Sequence, residues 1–399
     1  MDMQSKAKKL IEMIQTASVE WKPLGEVFNL KNGYTPSKSI KEYWENGSIP
    51  WFRMEDIRGN GRILDSALQQ ISESAIKGGK LFPANSIIMA TSATIGEHAL
   101  ITVPFLANQR FTNLSLKPGF TDKFNIYFLY YYCFNLSEWC KKNTTTSSFA
   151  SVDMSGFKRF PIPIPPLETQ QKIVKMLDKF TELEATLEAE LALRKRQYRY
   201  YRDFLLDFDN QIWGGIADGY KGRLKDVVWK TLGEVCHNIS SGKNKKRDIN
   251  GIYPIYGSTG IIGKTNEKVY GKQHILVARV GANAGFVHIG EGEYDVSDNT
   301  LIIDNKDNIL FGYLFYVLKN MKLNQFARGA GQPLLTAGQL KSLKIPIPPL
   351  PEQEKIVAIL DKFDTLTHSI SEGLPHEIAL RRKQYEYYRE QLLAFPAAA

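Results

Sequence analysis

Two phrases occur twice in this chain, and that duplication limits the fold more than any other feature. Trp21-Lys22-Pro23-Leu24-Gly25-Glu26-Val27 returns as Trp229-Lys230-Thr231-Leu232-Gly233-Glu234-Val235, and Ile162-Pro163-Ile164-Pro165-Pro166-Leu167 returns as Ile345-Pro346-Ile347-Pro348-Pro349-Leu350. The segment after each proline-rich phrase also repeats. Lys172-Ile173-Val174 and Leu177-Asp178-Lys179-Phe180 match Lys355-Ile356-Val357 and Leu360-Asp361-Lys362-Phe363. Both segments close alike, in Gln197-Tyr198-Arg199-Tyr200-Tyr201-Arg202 and Gln384-Tyr385-Glu386-Tyr387-Tyr388-Arg389. A repeat this long is no solenoid unit; it predicts two copies of one globular domain, each followed by a long helix. The stretches in between, residues 28–158 and 236–344, share a rhythm but few side chains. A frame kept while its contents vary suits a protein that reads two different targets.

The helical segments carry a seam. Ile173, Leu177, Phe180, Leu187, Leu191, Tyr198, Tyr201 and Leu205 fall at spacings of four and three, with Glu184 and Arg194 the two polar members. That is the stripe of a helix packed along another helix. The Pro165-Pro166 pair excludes helix upstream, and Glu168 sits in the first turn, where the helix dipole favours an acid. A helix over residues 168–207 would be about 60 Å long, too long for the inside of one small domain. The second copy repeats the seam as Ile356, Leu360, Phe363, Ile370, Leu374, Ile378, Tyr385, Tyr388 and Leu392, with four extra residues inserted before its Gln-Tyr match. Four is the insertion that keeps a stripe on one face, and Gly373 and Pro375 beside it predict a kink or break. The two stripes are expected to pair antiparallel; the alternative is that each packs on its own domain. Ile11 to Ile14 ahead of Trp21 resembles Leu205-Leu206 ahead of Trp229, which predicts a pseudo-cyclic molecule whose N-terminal segment stands in for the tail of the second long helix.

The expected organisation is therefore α+β: an N-terminal helix at 1–20, an α/β domain at 21–166, a long helix at 167–208, a linker at 209–228, a second α/β domain at 229–349 and a second long helix at 350–395. Strands are expected at Ser86 to Ala90 and Ile275 to Ala278, and helices at Phe124 to Trp139 and Leu310 to Leu323. Loops on such a frame are where recognition residues sit.

A formal net charge of +9 on 399 residues biases the chain toward a polyanion. Candidate contacts in the first domain are Arg53, Lys77, Lys80, Arg110, Lys141 and Lys142, with Thr144 and Ser147 in the polar run that follows. In the second they are Lys243, Lys245, Lys246, Arg247, Lys264, Arg279, Arg328 and Gln332. Such side chains pair with phosphates and with guanine or adenine edges, though each alone also resembles a solvated surface residue. The run from Lys243 to Arg247 is the best phosphate contact among them.

Several chemistries lack their signatures. No apolar run is long enough to span a bilayer, and the N-terminal apolar patch is too interrupted for a signal peptide. Cys133, Cys140 and Cys236 lack metal-site spacing and fit a reducing cytoplasm, and the six histidines show no ligand spacing either. Ser258-Thr259-Gly260-Ile261-Ile262-Gly263-Lys264-Thr265 ends like a phosphate loop. However, Ser258 replaces the leading glycine and Tyr270-Gly271 forbids the helix such a loop needs, so a hairpin is expected there. No cofactor fingerprint or amino-group methyltransferase motif is present.

The paired Pro-Ile-Pro-Pro-Leu phrases leading into long helices resemble the specificity subunits of type I restriction-modification systems. So do the Trp-Lys-x-Leu-Gly-Glu-Val openings, the segment Tyr43-Trp44…Ile49-Pro50-Trp51…Asp56-Ile57, and Tyr253-Pro254-Ile255-Tyr256-Gly257-Ser258-Thr259-Gly260. The resemblance covers nearly the whole chain. It implies two target recognition domains, each reading one half of a split, asymmetric double-stranded DNA site, and an antiparallel coiled coil that sets the gap between the halves. It also implies a non-catalytic, cytoplasmic chain that binds no cofactor itself. That chain would scaffold modification subunits, which methylate adenine N6 with S-adenosylmethionine, and restriction subunits driven by ATP and Mg. It does not transfer base-contact residues, because those loops vary. The rival expectations are a nuclease site hidden in one domain and a coiled-coil adaptor for proteins.

Overall fold

Within each half the two repeated phrases are partners. Strand Glu20–Pro23 pairs antiparallel with Pro161–Ile164, setting Trp21 opposite Pro163 and Lys22 opposite Ile162. Strand Val228–Thr231 pairs with Lys344–Ile347, setting Trp229 opposite Pro346. A two-stranded ribbon has two free edges, so its prolines forfeit no ladder bond. The opening strand runs straight into one helical turn, Leu24–Val27 or Leu232–Val235, whose Leu and Val are buried. Gly25 and Gly233 lie in these turns. A Cβ there would stand 3.3 Å and 3.2 Å from the carbonyl oxygens of Lys158 and Lys341, which explains the repeated glycine.

The computed structural model describes residues 3–145, 150–208, 226–329 and 331–396. The chain forms two units, one comprising the chain up to Thr186 and from Ala379 onward, the other Leu187–Ile378. The first unit holds a five-stranded sheet in the order Phe28–Asn32, Phe111–Leu116, Ser86–Ala90, His98–Ile101, Ile63–Leu64, and a three-stranded sheet in the order Gln70–Ile71, Ile49–Phe52, Leu106–Ala107. The second holds a four-stranded sheet in the order Cys236–Ser241, Thr300–Asn305, His274–Ala278, Val287–Gly290. Its three-stranded sheet runs Gly260–Thr265, Tyr253–Gly257, Asp295–Val296. Pairing is mostly antiparallel, with one parallel neighbour in each small sheet and a third, Ile63–Leu64 beside His98–Ile101, in the five-stranded sheet. The central strands read as unbroken apolar runs because both faces are covered. Helices Ile126–Lys142 and Phe311–Asn320 cover them. The phosphate-loop lookalike is the hairpin expected: Tyr253–Gly257 returns along Gly260–Thr265, with Gly260 at φ +135°. The expected linker at 209–228 lies mostly outside the described residues, and Val228 already begins a strand.

The same polar contacts recur in both domains, those of a glutamine tying the domain to its long helix. The buried Gln170 accepts from the backbone N–H of Asn125 at 2.8 Å and donates to the carbonyl of Pro165 at 2.8 Å. Gln353, equally buried, accepts from Leu310 and donates to Pro348 at the same distances. Lys117 Nζ donates to the Gly25 carbonyl at 2.7 Å, and Lys306 Nζ to that of Glu234 at 2.8 Å. The glutamine bonds to Pro165 and Pro348 are buried, and in a low-dielectric interior such bonds fix orientation.

Leu167–Leu206 is one helix of 40 residues, about 60 Å long. Every expected seam position on it is buried or half-buried, Glu184 and Arg194 included. In the first unit Phe180 stacks on Tyr388, their centroids 5.2 Å apart, and Arg382 Nε donates to the Glu184 carboxylate at 2.6 Å. In the second unit Tyr201 stacks on Phe363 at 5.4 Å, with Tyr198 6.2 Å from the same ring. Rising positions on one helix meet falling positions on the other, so the pairing is antiparallel in both units. The second copy is not one helix. It consists of Leu350–His368 and Gly373–Leu392 with a break between. Gly373 takes φ +74°, and a Cβ there would collide with the Thr365 carbonyl oxygen. Ile370, expected on the seam, lies in the break and is 87% exposed; Thr367, 1% exposed, takes the buried position instead.

The N-terminal helix Met3–Gln15 buries Ala7, Leu10, Ile11 and Ile14 in the core cluster that holds Tyr388, Leu392 and Leu393. It therefore adds to the tail of the last helix and does not replace it. The counterpart of Leu205-Leu206 is Leu392-Leu393, and all four side chains are buried. Closure comes from another contact, the Trp21 indole N–H donating to the Pro396 carbonyl at 3.1 Å.

Candidate nucleic-acid interface

Backbone hydrogen bonds define equivalent loops in the two domains. After the parallel pair Phe52 and Ala107, the N–H of Asn108 donates to the Phe52 carbonyl at 3.1 Å; after Tyr256 and Val296, Ser297 donates to Tyr256 at 2.9 Å. At the other end of the loop Thr91 donates to the Arg110 carbonyl at 3.0 Å, and Arg279 to that of Asn299 at 2.9 Å. Asn108-Gln109-Arg110 thus matches Ser297-Asp298-Asn299, Thr91 matches Arg279, and Arg53 matches Gly257. Gly33 and Gly242 seat both loops, because a Cβ on either would overlap the carbonyl oxygens of Ala107 or Val296.

In the first domain this loop borders a groove of about 650 Å³ whose walls include Arg53 and Arg110 with Lys41, Trp44, Trp51 and Gln69. Trp51 is buried, donates through its indole to the Tyr34 carbonyl at 2.9 Å and meets Trp44 edge-on at 5.0 Å. The Arg53 guanidinium lies 5.6 Å from the Trp51 ring. The fully buried Asp56 holds the backbone there, accepting from Arg53 N at 2.7 Å and Leu68 N at 2.6 Å. Lys77 adjoins through Tyr34, whose ring it covers at 5.1 Å.

The other first-domain candidates sit elsewhere. Lys80 and Lys142 are exposed and do not line the groove. Lys141 is paired with Glu138 at 2.7 Å. Thr144 begins a two-residue strand paired with Ser151–Val152, and Val152 donates to the Thr91 carbonyl beside Arg110. Ser147 lies outside the described residues. The sequence reading missed Lys38, Lys41, Gln69, Gln109 and Thr35, whose hydroxyl donates to Gln109. They belong to no charge run, and only the fold gathers them.

In the second domain the candidates converge through the equivalent loop. Asp298 lies 4.0 Å from Lys245, and its carbonyl accepts from Arg279 Nη1 at 3.5 Å. Arg328 and Leu334 exchange backbone bonds at 2.9 and 2.8 Å, and Leu335 donates to the Arg279 carbonyl at 2.8 Å, so Arg328 and Gln332 flank Arg279. The Asp248 backbone N–H donates to the Lys264 carbonyl at 2.8 Å, which sets Arg247 beside the Lys264 strand. Lys243 and Lys246 are exposed. A chain of cations with amide neighbours suits phosphates and base edges.

Two histidines lie near this frame without forming part of it. Burial, then Arg62, lowers the His98 pKa to about 3, and burial lowers that of His288 to about 4. Both are neutral. Among the described residues no cluster of three or more His, Cys, Asp or Glu could hold a metal ion. No helix among them is long and apolar enough to cross a membrane.

The sequence pattern of the type I restriction modification DNA specificity domain matches the chain twice, over residues 18–193 and 225–380. The chain belongs to that family. An Escherichia coli relative, the type I restriction enzyme EcoprrI specificity subunit, is 50% identical over 92% of this chain and 93% of its own length. The EcoR124I/EcoR124II specificity subunit, also from Escherichia coli, is 30% identical over 98% of both. Among solved structures, one titled for complex assembly and conformational transition of the type I restriction-modification system aligns at TM-score 0.62 and 16% identity, covering 95% of this chain and 98% of that one. The S subunit from M. genitalium aligns at TM-score 0.53 and 17% identity, covering 96% and 98%. At such identities the structures speak for the fold, and the sequence relatives carry the family. The family's two matched segments each contain one ribbon, one loop frame and one stretch of paired helix.

Proposed function

We propose that this specificity-family chain reads a bipartite, asymmetric site in double-stranded DNA, one half with each domain, and that its paired helices fix the number of unread base pairs between the halves. The observation that carries this reading is the frame itself. Equivalent backbone bonds present loops of unlike chemistry, Asn108-Gln109-Arg110 in one domain and Ser297-Asp298-Asn299 in the other. Identical frames with different side chains suit two unlike half-sites, and the cations around both frames supply the non-specific phosphate attraction.

The chain has no catalytic role in this scheme. Its work is to place two modification subunits, adenine-N6 methyltransferases that bind S-adenosylmethionine, and restriction subunits that use ATP and Mg for translocation and cleavage. No cofactor is assigned to the chain itself. The test is a domain exchange. Replacing residues 28–158 with those of another family member should change one half-site in the host methylome and leave the other half and the gap intact. A change in both halves would refute independent reading.

A further inference from the structure

Arg53 and Arg279 are the two arginines among the described residues whose Nε is buried with no hydrogen-bond partner. Folded proteins satisfy nearly all such donors. An exception is expected where the stem is fixed in order to aim the head. The two residues are not equivalent in the frame, since Arg53 matches Gly257 and Arg279 matches Thr91. They flank equivalent loops from opposite sides, Arg53 next to the Phe52 carbonyl that holds Asn108, Arg279 on the N–H that holds Asn299.

Their surroundings favour a base over a phosphate. Arg53 has the Glu55 carboxylate 4.0 Å from its Nε and the Trp51 ring 5.6 Å from its head. Arg279 lies against the Asp298 carbonyl, on a residue whose carboxylate faces Lys245. The Glu55 carboxylate beside Arg53 opposes an incoming phosphate charge but not the uncharged edge of a base, and Arg279 meets the negative end of a carbonyl dipole. With Nε sealed in, the terminal nitrogens are what an arginine offers. That fork fits the O6 and N7 acceptors of guanine in the major groove, which a lysine cannot match.

We propose that Arg53 and Arg279 are the base-reading residues of the two domains, each engaging O6 and N7 of one guanine. The half-sites differ partly because the two arginines stand at opposite flanks of equivalent loops. This deepens the function proposed above and rests on it.

The test uses the chain assembled with its methyltransferase partner and a DNA pool randomised across both half-sites, with methylated products sequenced. The wild-type complex is read first. If it yields no split motif, the proposed function itself fails, whatever the arginines do. Given a motif, R53A should relax one G·C position in one half-site and R279A one in the other, each by roughly 5- to 150-fold in discrimination. R53K, which keeps the charge and the stem, should stay relaxed. A motif unchanged under R53A or R279A, a relaxed position that is not G·C, or a uniform loss of methylation with preferences intact would each overturn the proposal. Wild-type complex on DNA carrying 7-deazaguanine at the assigned position gives a readout that no folding defect can mimic. Binding should drop there, and undiminished binding would overturn the assignment.

Discussion

The Tyr131 phenol donates a 2.6 Å hydrogen bond to Asp178, and in the other half Tyr316 donates to Asp361 at 2.7 Å. Each joins the covering helix of a domain to the long helix that follows it. Burial, then the Asp178 carboxylate, holds the Tyr131 hydroxyl protonated far above the usual phenol range. A phenol donating to a charged acceptor contributes about 1.5–3 kcal/mol. Tyr131→Phe should therefore lower the stability of the first unit by about that much, read as the shift in urea midpoint. Asp178→Ala, which strands the buried phenol, should cost at least as much.

The break in the second long segment has a geometric account. Phe180 and Tyr201 are 21 positions apart on the continuous helix, whereas their ring partners Tyr388 and Phe363 are 25 apart. The surplus is residues 369–372, which lie between the two helices. Excising those four should leave the seam in register and the gap of the recognised site unchanged. Four residues inserted within the long helix near Leu187 should instead change the gap and leave both half-sites alone. Methylome sequencing reports both; a longer gap from the excision would contradict the account.

Gly33 and Gly242 each fit where a methyl group would overlap the carbonyl oxygens of Ala107 and Asn108, or of Val296 and Ser297. Gly33→Ala should degrade reading of one half-site and Gly242→Ala the other, each destabilising its own unit by about 1–3 kcal/mol. Differential scanning calorimetry combined with motif sequencing would show whether the damage stays in one half.

Lys243, Lys246 and Arg247 are exposed. Changing all three to Gln should weaken binding to every sequence alike and reduce the slope of log K against log salt by up to about 0.9 for each phosphate no longer neutralised. An unchanged slope would show that these three side chains touch no phosphate.

His98 sets an acid limit. It is fully buried, packed edge-on to Phe134 at 4.6 Å and flanked by Tyr130, with Arg62 and Arg389 the charged groups around it. Its pKa falls from 6.5 to about 3 on folding. Below pH 6.5 the unfolded chain takes up a proton that the folded chain refuses. The contribution is present above 6.5 and declines toward pH 3 by about 1.4 kcal/mol per unit. His98→Leu should flatten that limb in urea titrations between pH 4 and 6.5, and an unaltered slope would show that other groups set it.

The seam is legible in the sequence because helical period is a local property. All ten positions on the first helix, Glu184 and Arg194 included, can be read from spacing alone. Ile370 departs from the expected stripe because the left-handed Gly373 ends one helix and starts another, a backbone event that apolar spacing does not register. The loops proposed to read DNA are legible only in part. Arg53, Arg110 and Arg279 stand out by residue type, yet the equivalence of the loops they flank or belong to rests on hydrogen bonds between strands far apart in sequence. Lys41 and Gln69 belong to no pattern and reach the groove only through the small sheet. The pairing of the repeated phrases is equally hidden, because nothing in Trp-Lys-x-Leu announces that it will lie along Ile-Pro-Ile-Pro.

That ribbon has a genetic corollary. Its two strands are the seam between reader and strut, and they are spelled nearly alike at both places in the chain. A gene rearrangement joined within the duplicated Ile-Pro-Ile-Pro-Pro-Leu phrase would carry an entire reader to the other address across a joint that already fits. New targeting could then arise by shuffling whole heads, with no intermediate that has to refold its hinge.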